Sequence, residues 1–284
     1  MIGVFDSGVG GLSVWREIVR CLPDAPTAYL ADQAHVPYGA RPIDEVRALT
    51  LRCVRWLVAQ GCDTVVVACN TASGAALEAA RAAFPTTPIV GMEPAVKPAA
   101  LNTQTGVVGV LATFTTFKSP RYADLIRKWS NGVRVIEQPC AGWVEAVEEI
   151  ENGEIENSRL EIKDSHVSTI SNLQSLVSFH VEPLLAQQAD TLVLGCTHFP
   201  FLRPQIDWVV ADWRSRHPGA PPVTVIDPAP AVAQQTQRVY GSRARAVTSS
   251  ATAPHRFYTT GAPAAFARTA THLLGRLITA EAAE

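Results

Sequence analysis

Along this chain short apolar runs alternate with longer amphipathic ones. Val65-Val66-Val67-Ala68 runs straight into Cys69-Asn70-Thr71-Ala72-Ser73-Gly74, and an alanine-rich stretch follows at helical spacing. A continuous apolar run that ends in small polar residues reads as a buried parallel strand, a tight turn and a helix N-terminus. Thr191-Leu192-Val193-Leu194-Gly195-Cys196-Thr197-His198-Phe199-Pro200 repeats the design. Each thiol therefore falls at the carboxyl end of a strand, where open α/β sheets hold their ligands.

The same reading predicts strands over 2–5, 27–31, 88–91, 105–111, 133–137, 223–227 and 256–260. It predicts helices over 12–21, 43–60, 71–83, 142–151, 173–187, 202–216, 229–240 and 263–277. Pro42 suits the start of the second helix and Gly61 its end. Strand–helix alternation of this kind specifies an α/β fold with mainly parallel sheets. Residues 152–171 are polar with mixed periodicity and stay unassigned, and 279–284 read as a frayed tail. Gly109-Val110-Leu111-Ala112 is similar to Gly3-Val4-Phe5-Asp6, and a cysteine strand follows each. Two similar α/β halves result, either by internal duplication or by repeated strand–turn–helix chemistry alone.

Composition narrows the class. A chain of 284 residues, 47% hydrophobic and 18% charged, is long enough for two domains and ordinary for an enzyme. A formal charge of −2 without a basic run argues against a nucleic-acid surface. No apolar stretch has the length of a membrane span, and the first residues lack a signal-peptide pattern, so the expected compartment is the cytosol. Six cysteines without CxxC spacing are expected as free thiols there. Among them Cys53, with Trp56 on the same apolar stripe, and Cys62 read as core.

Asp6-Ser7-Gly8-Val9-Gly10-Gly11 joins the first strand to the first helix. Its glycines would admit a carboxylate or phosphate to unpaired N–H groups. Taken by itself, the turn is better read as a helix cap supplied by Asp6. The segment 32–39 is a loop by its Pro and Gly content.

A free thiol, with a pKa of about 8.5, holds little thiolate at neutral pH. A nearby helix N-terminus favours the thiolate at both cysteines. His198 sits two residues from Cys196, and Asp6 can serve Cys69 if their turns converge. Three chemistries suit such a pair. A disulfide couple needs sulfur contact. A metal site from Cys69, Cys196, His198 and Asp6 lacks the usual ligand spacing. Two bases on opposite sides of one carbon would invert a stereocentre without a cofactor, one taking the proton and the other giving it. Ser7, Thr71 and Thr197, with the amides around them, are then candidate carboxylate binders.

Together, Asp6-Ser7-Gly8-Val9-Gly10-Gly11, Pro37-Tyr38-Gly39, Ala68-Cys69-Asn70-Thr71-Ala72-Ser73 and Gly195-Cys196-Thr197-His198-Phe199-Pro200 resemble glutamate racemase, in the aspartate/glutamate racemase superfamily. The motifs occur in the family's order and span nearly the whole chain. The resemblance implies two Rossmann-like α/β domains facing each other across an active-site cleft. The first would comprise 1–95 plus 208–284 and carry Asp6 and Cys69. The second, 96–207, would carry Cys196 and His198.

The resemblance also implies cofactor-independent racemisation of L-glutamate to D-glutamate for peptidoglycan. By position Cys69 resembles the base acting on the D-enantiomer and Cys196 the base acting on the L-enantiomer. Asp6 and His198 resemble their polar partners. Ser7, Tyr38, Gly39, Asn70, Thr71 and Thr197 resemble substrate-binding residues. Thr113 and Thr116 match threonines that contact a carboxylate, with helix capping as their competing role. Glu148 matches a glutamate that approaches the substrate amine. No metal, nucleic acid or membrane is implied, and a homodimer is. His35, His166, His180, His217, His255 and His272 read as structural or surface residues. An aspartate racemase, a silent amino-acid-binding protein and a thiol redox protein stay open at this point.

Overall fold

The computed structural model describes residues 1–149, 172–241 and 255–283. In chain order the elements are β1 (Ile2–Asp6), α1 (Leu12–Cys21), β2 (Thr27–Ala31), α2 (Ile43–Ala59), β3 (Thr64–Val67), α3 (Asn70–Ala83) and β4 (Ile89–Gly91). Then come α4 (Val96–Asn102), β5 (Val107–Ala112), α5 (Phe114–Phe117), α6 (Pro120–Trp129), β6 (Arg134–Pro139) and α7 (Trp143–Glu148). The remainder is α8 (Leu173–Ala186), β7 (Thr191–Leu194), α9 (Arg203–Arg216), β8 (Thr224–Ile226), α10 (Ala229–Gly241), β9 (His255–Thr259), α11 (Pro263–Leu274) and β10 (Glu281–Ala282). The expected α/β class holds.

Two parallel sheets form the two lobes, with strand orders β10-β9-β2-β1-β3-β4 and β6-β5-β7-β8. The orders β2-β1-β3-β4 and β6-β5-β7-β8 are topologically equivalent, so the two halves read in the sequence are real. In the first lobe β1 lies between β2 and β3, in register Asp6 with Ala31 and Phe5 with Val67. In the second, β5 lies between β6 and β7, in register Leu111 with Leu194. The turn after each central strand thus sits beside the turn that carries a cysteine.

Strands β1, β2, β3 and β7 are buried along their whole length, which explains their unbroken apolar character. Sequence alternation sorts the first sheet's side chains. Ile2, Val4 and Tyr29 pack in a core with Trp15 and Phe266, whereas Phe5, Leu30 and Val67 pack with Val46, Val54 and Leu57. At the end of α2 the chain turns at Gly61, whose φ of +83° suits glycine.

Several expectations need correction. The split at 207/208 falls inside α9, which packs on α8, while β8 pairs with β7. Thr224–Ile226 therefore extends the second sheet, and the chain returns to the first lobe only after it. The tail is not frayed throughout, because Glu281–Ala282 pairs in parallel with β9. Helices α4, α5 and α6 were not expected. The expected helix over 142–151 is described only from Trp143 to Glu148. Residues 152–171, including His166, lie outside the described residues.

Candidate active site

The two cysteine turns meet across the lobes. Ser7, Pro37, Tyr38, Gly39, Cys69, Asn70 and Thr71 of the first lobe enclose one cavity with Thr113, Val144, Cys196, Thr197 and His198 of the second. Its volume is about 10 Å³, room for roughly the centre of one water. Both cysteines are free and buried, at 5% and 8% exposure. Ten of the thirteen site residues read from the sequence line this cavity. Asp6, Thr116 and Glu148 stand behind it.

Cys69 caps α3, and its Sγ accepts the Ala72 N–H at 3.5 Å. Ser7 Oγ lies 3.8 Å away. Burial pushes the Cys69 thiol up, and the charge of Asp6 adds to the effect. The helix N-terminus does favour the thiolate through the Ala72 N–H, as expected, but burial outweighs that one amide. Asp6 does not address the sulfur with a hydrogen bond. Its carboxylate accepts the Gly8 N–H at 2.9 Å and the Thr197 hydroxyl at 3.1 Å. Burial raises its pKa, while His198 and backbone N–H groups pull the other way.

Around Cys196 the chemistry differs. Its Sγ is 3.7 Å from His198 Nδ1, and His198 Nε2 is 2.7 Å from Glu148 Oε1. Burial works against charge on the imidazole. Hydrogen bonds with the Cys196 sulfur and the Glu148 carboxylate more than offset it, so the His198 pKa lies well above the ordinary range. Glu148 is held below the usual carboxylate range: burial opposes its charge, and bonds from His198, Gln33 and the Val9 N–H outweigh burial. Glu148 thus bonds the histidine and is not among the residues that line the cavity. It belongs to the second lobe but docks in the first, accepting the Val9 N–H at 2.7 Å and the Gln33 amide at 2.9 Å.

That docking explains the glycines of the first turn. A Cβ on Gly8 would fall 1.7 Å from Glu148 Oε1, and one on Gly10 would fall 2.3 Å from His198 Nδ1. These positions admit side chains of the opposite lobe, and the helix cap expected of Asp6 is not made, since α1 is capped at Gly11 without a side-chain bond. Asp6 and Thr197 add a further link across the lobes, as does the Ser13 hydroxyl donating to the Thr197 carbonyl at 2.9 Å.

Hydroxyls of Thr71, Thr113 and Thr116 lie 2.9 to 3.3 Å apart in a three-way cluster. Thr113 begins α5 without a side-chain cap bond, so its hydroxyl serves the cluster and not the helix. Asn70, buried at 4%, has neither amide atom partnered. An unpaired buried amide bordering a cavity is poised for a polar ligand. The Tyr38 ring lines the cavity, but its hydroxyl donates to Asp32 at 2.6 Å, away from it.

Sequence reasoning missed Gln33, Asp32 and Val144. The first two sit in a stretch legible only as loop, and Val144 is one apolar residue among many on α7. Among the described residues no group of three or more His, Cys, Asp or Glu side chains is placed to hold a metal. No described helix is long and apolar enough to cross a membrane.

Sequence and fold are both similar to those of known proteins. A model of the Asp/Glu/hydantoin racemase family matches residues 2–236. The chain is 46% identical to a glutamate racemase of Roseiflexus sp. (strain RS-1), over 85% of this chain and 80% of that protein. Its structure resembles the Escherichia coli glutamate racemase solved with L-glutamate and the activator UDP-MurNAc-Ala. That likeness has TM-score 0.77 and 30% identity, and covers 99% of this chain and 97% of that one. A glutamate racemase isoform of Bacillus anthracis gives TM-score 0.76 and 30% identity, with 99% and 96% covered. The chain belongs to the Asp/Glu/hydantoin racemase family. It is an isomerase of the amino-acid racemase type.

Proposed function

We propose that this racemase interconverts L- and D-glutamate by proton transfer between two thiols, without a cofactor. The observation that carries the reading is that Cys69 and Cys196 border one cavity with different proton partners. Starting from L-glutamate, the Cys196 sulfur, its negative charge stabilised by the His198 imidazolium, takes the α-proton. Cys69, kept as a thiol by burial, gives its proton to the opposite face of the carbon. D-glutamate leaves, with the proton now on Cys196 and the charge on Cys69, and the reverse reaction restores the start.

Charge that develops on the α-carboxylate is met by neutral donors. The unpartnered Asn70 amide, the Thr71–Thr113–Thr116 hydroxyls, Ser7 and Thr197 are the groups available for the two carboxylates. A cavity this small admits glutamate only when the lobes part, which breaks the Glu148, Thr197 and Ser13 links described above. Closure then removes water, which strengthens every electrostatic contact around the carbanion. In the cell the product would supply D-glutamate for peptidoglycan from the cytosol, with the enzyme as a homodimer.

The test is L-glutamate incubated with enzyme in deuterated buffer. Optical rotation should decay to zero with deuterium entering at the α-carbon, in enzyme freed of metals and pyridoxal phosphate. Racemisation without solvent deuterium would overturn the two-thiol reading.

A further inference from the structure

The carboxylate of Glu148 has one oxygen shared by His198 Nε2 and the Val9 N–H. Its second oxygen, Oε2, accepts from the side-chain amide of Gln33. Gln33 is in turn held by the C-terminal part of the chain. Its Oε1 accepts the Thr259 hydroxyl at 3.1 Å, and Thr259 Oγ1 accepts the Gly261 N–H at 3.0 Å. Strand register brings this about, because Ala31 at the end of β2 pairs with Thr259 at the end of β9. Space does too, since a Cβ on Gly261 would meet Gln33 Cβ at 2.9 Å.

Every donor in this row points the same way, from Gly261 through Thr259 and Gln33 to Glu148. A hydroxyl on one side and a carboxylate on the other fix which end of the amide is nitrogen. Gln33 does not border the cavity, and Thr259 is fully buried. Neither residue touches the place where a substrate would sit, so whatever they do passes through Glu148.

Resting on the proposed function, we infer that Gln33, clamped by Thr259, is a positioning residue for the Cys196 half of the reaction. It fixes the Glu148 carboxylate that orients and charges His198. The ordered carboxylate keeps the imidazole ring at its 3.7 Å approach to the Cys196 sulfur. The titratable groups facing Glu148 are His198 from the cysteine turn and Asp6 and Tyr29 from the first lobe. Asp6 is a second carboxyl group near it and burial keeps Tyr29 a neutral phenol, so the neutral amide donor at Oε2 adds no further negative charge beside Glu148.

The test uses the full chain and four variants, with folding followed by thermal unfolding. Gln33→Leu keeps the bulk and removes the amide. It should lower kcat by about 10- to 100-fold, the effect of one hydrogen bond to a charged group, with KM little changed. The basic limb of its pH–rate profile should move to lower pH, as His198 gives up its proton more readily. Gln33→Glu should be similarly impaired at neutral pH and partly recover in acid, where a protonated carboxyl again donates to Glu148. Thr259→Val should show a smaller loss in the same direction, and Thr259→Ser should restore activity.

Wild-type kcat and an unshifted profile in folded Gln33→Leu would overturn the inference. Equal losses at every pH in all four variants would overturn it as well, because they would mark a merely structural role. If the wild type fails to racemise glutamate, the proposed function falls first, and that result is read before any variant.

Discussion

Cys69 and Cys196 occupy equivalent turns of topologically equivalent lobes, yet their surroundings differ. Cys69 meets a hydroxyl and a backbone amide, both neutral, and burial keeps its proton on. Cys196 faces a histidine whose other nitrogen is tied to a buried carboxylate. One side stores a proton on sulfur, and the other stores it on imidazole. The proposed two-base reaction needs one protonated and one deprotonated base at the start of each turnover, and unlike neighbours are what would set the two sides apart. Repetition of the fold supplies the opposed placement, and divergence of the neighbours supplies the difference.

The largest effect that would break this comparison is loss of either sulfur as a base. Cys69→Ser and Cys196→Ser should each lower racemisation by at least about 10²- to 10⁴-fold, followed by polarimetry, while thermal unfolding stays near wild type. Normal turnover in either variant would end the two-base account.

Glu148→Gln tests the Cys196 side alone, and kcat should fall by about 10- to 100-fold. Stability should respond as well. His198 has a raised folded pKa, so its contribution is present below its ordinary value near 6.5 and is lost as pH rises through the folded one. Glu148 is lowered, so its contribution is present above 4.5 and is lost as pH falls through its folded value. Melting temperature plotted against pH should therefore decline at both ends in the wild type and flatten in Glu148→Gln.

Gly8→Ala comes next. Its methyl would overlap the Glu148 carboxylate, and overpacking of this kind costs about 1–3 kcal/mol. Urea unfolding should report that loss, and the pH profile should shift in the direction of Glu148→Gln. Ser7→Ala is expected to change kcat least, because its 3.8 Å contact to sulfur is weak and its proposed carboxylate contact would show in KM. A drop in kcat of about fivefold or less, without a pH shift, would keep the two sides distinct.

Much of this was legible in the order of residues. Unbroken valine and leucine runs marked β3 and β7, and the polar turns after them marked both thiols and His198. Strand pairing then did the rest, because β1 beside β3 brings Asp6 near Cys69. What could not be read depends on contacts between distant segments. Only the family resemblance singled out Glu148, and its partners Val9 and Gln33 come from distant segments that nothing in its own helix foretells. Gly8 and Gly10 left a helix cap and an anion-binding turn both open, because a missing side chain does not reveal what occupies the space. Asp6 looked like a partner for sulfur, and the Gly8 N–H and Thr197 hydroxyl take its lone pairs instead. Strand β8 went to the wrong lobe because a three-residue strand carries no mark of the edge it joins.

The way the first sheet is closed has a consequence for biosynthesis. The four described strands of the second sheet lie between residues 107 and 226, whereas β2, near the start, waits for β9 at residues 255–259. As the polypeptide emerges from a ribosome, the later lobe has all of its described strands while β2 of the earlier one still lacks a neighbour. The half begun first is finished last. A chain released after β8 would contain Cys69 and Cys196 but lack Thr259 and the β-strand that seats it beside Ala31, so premature release leaves the proposed site without that support.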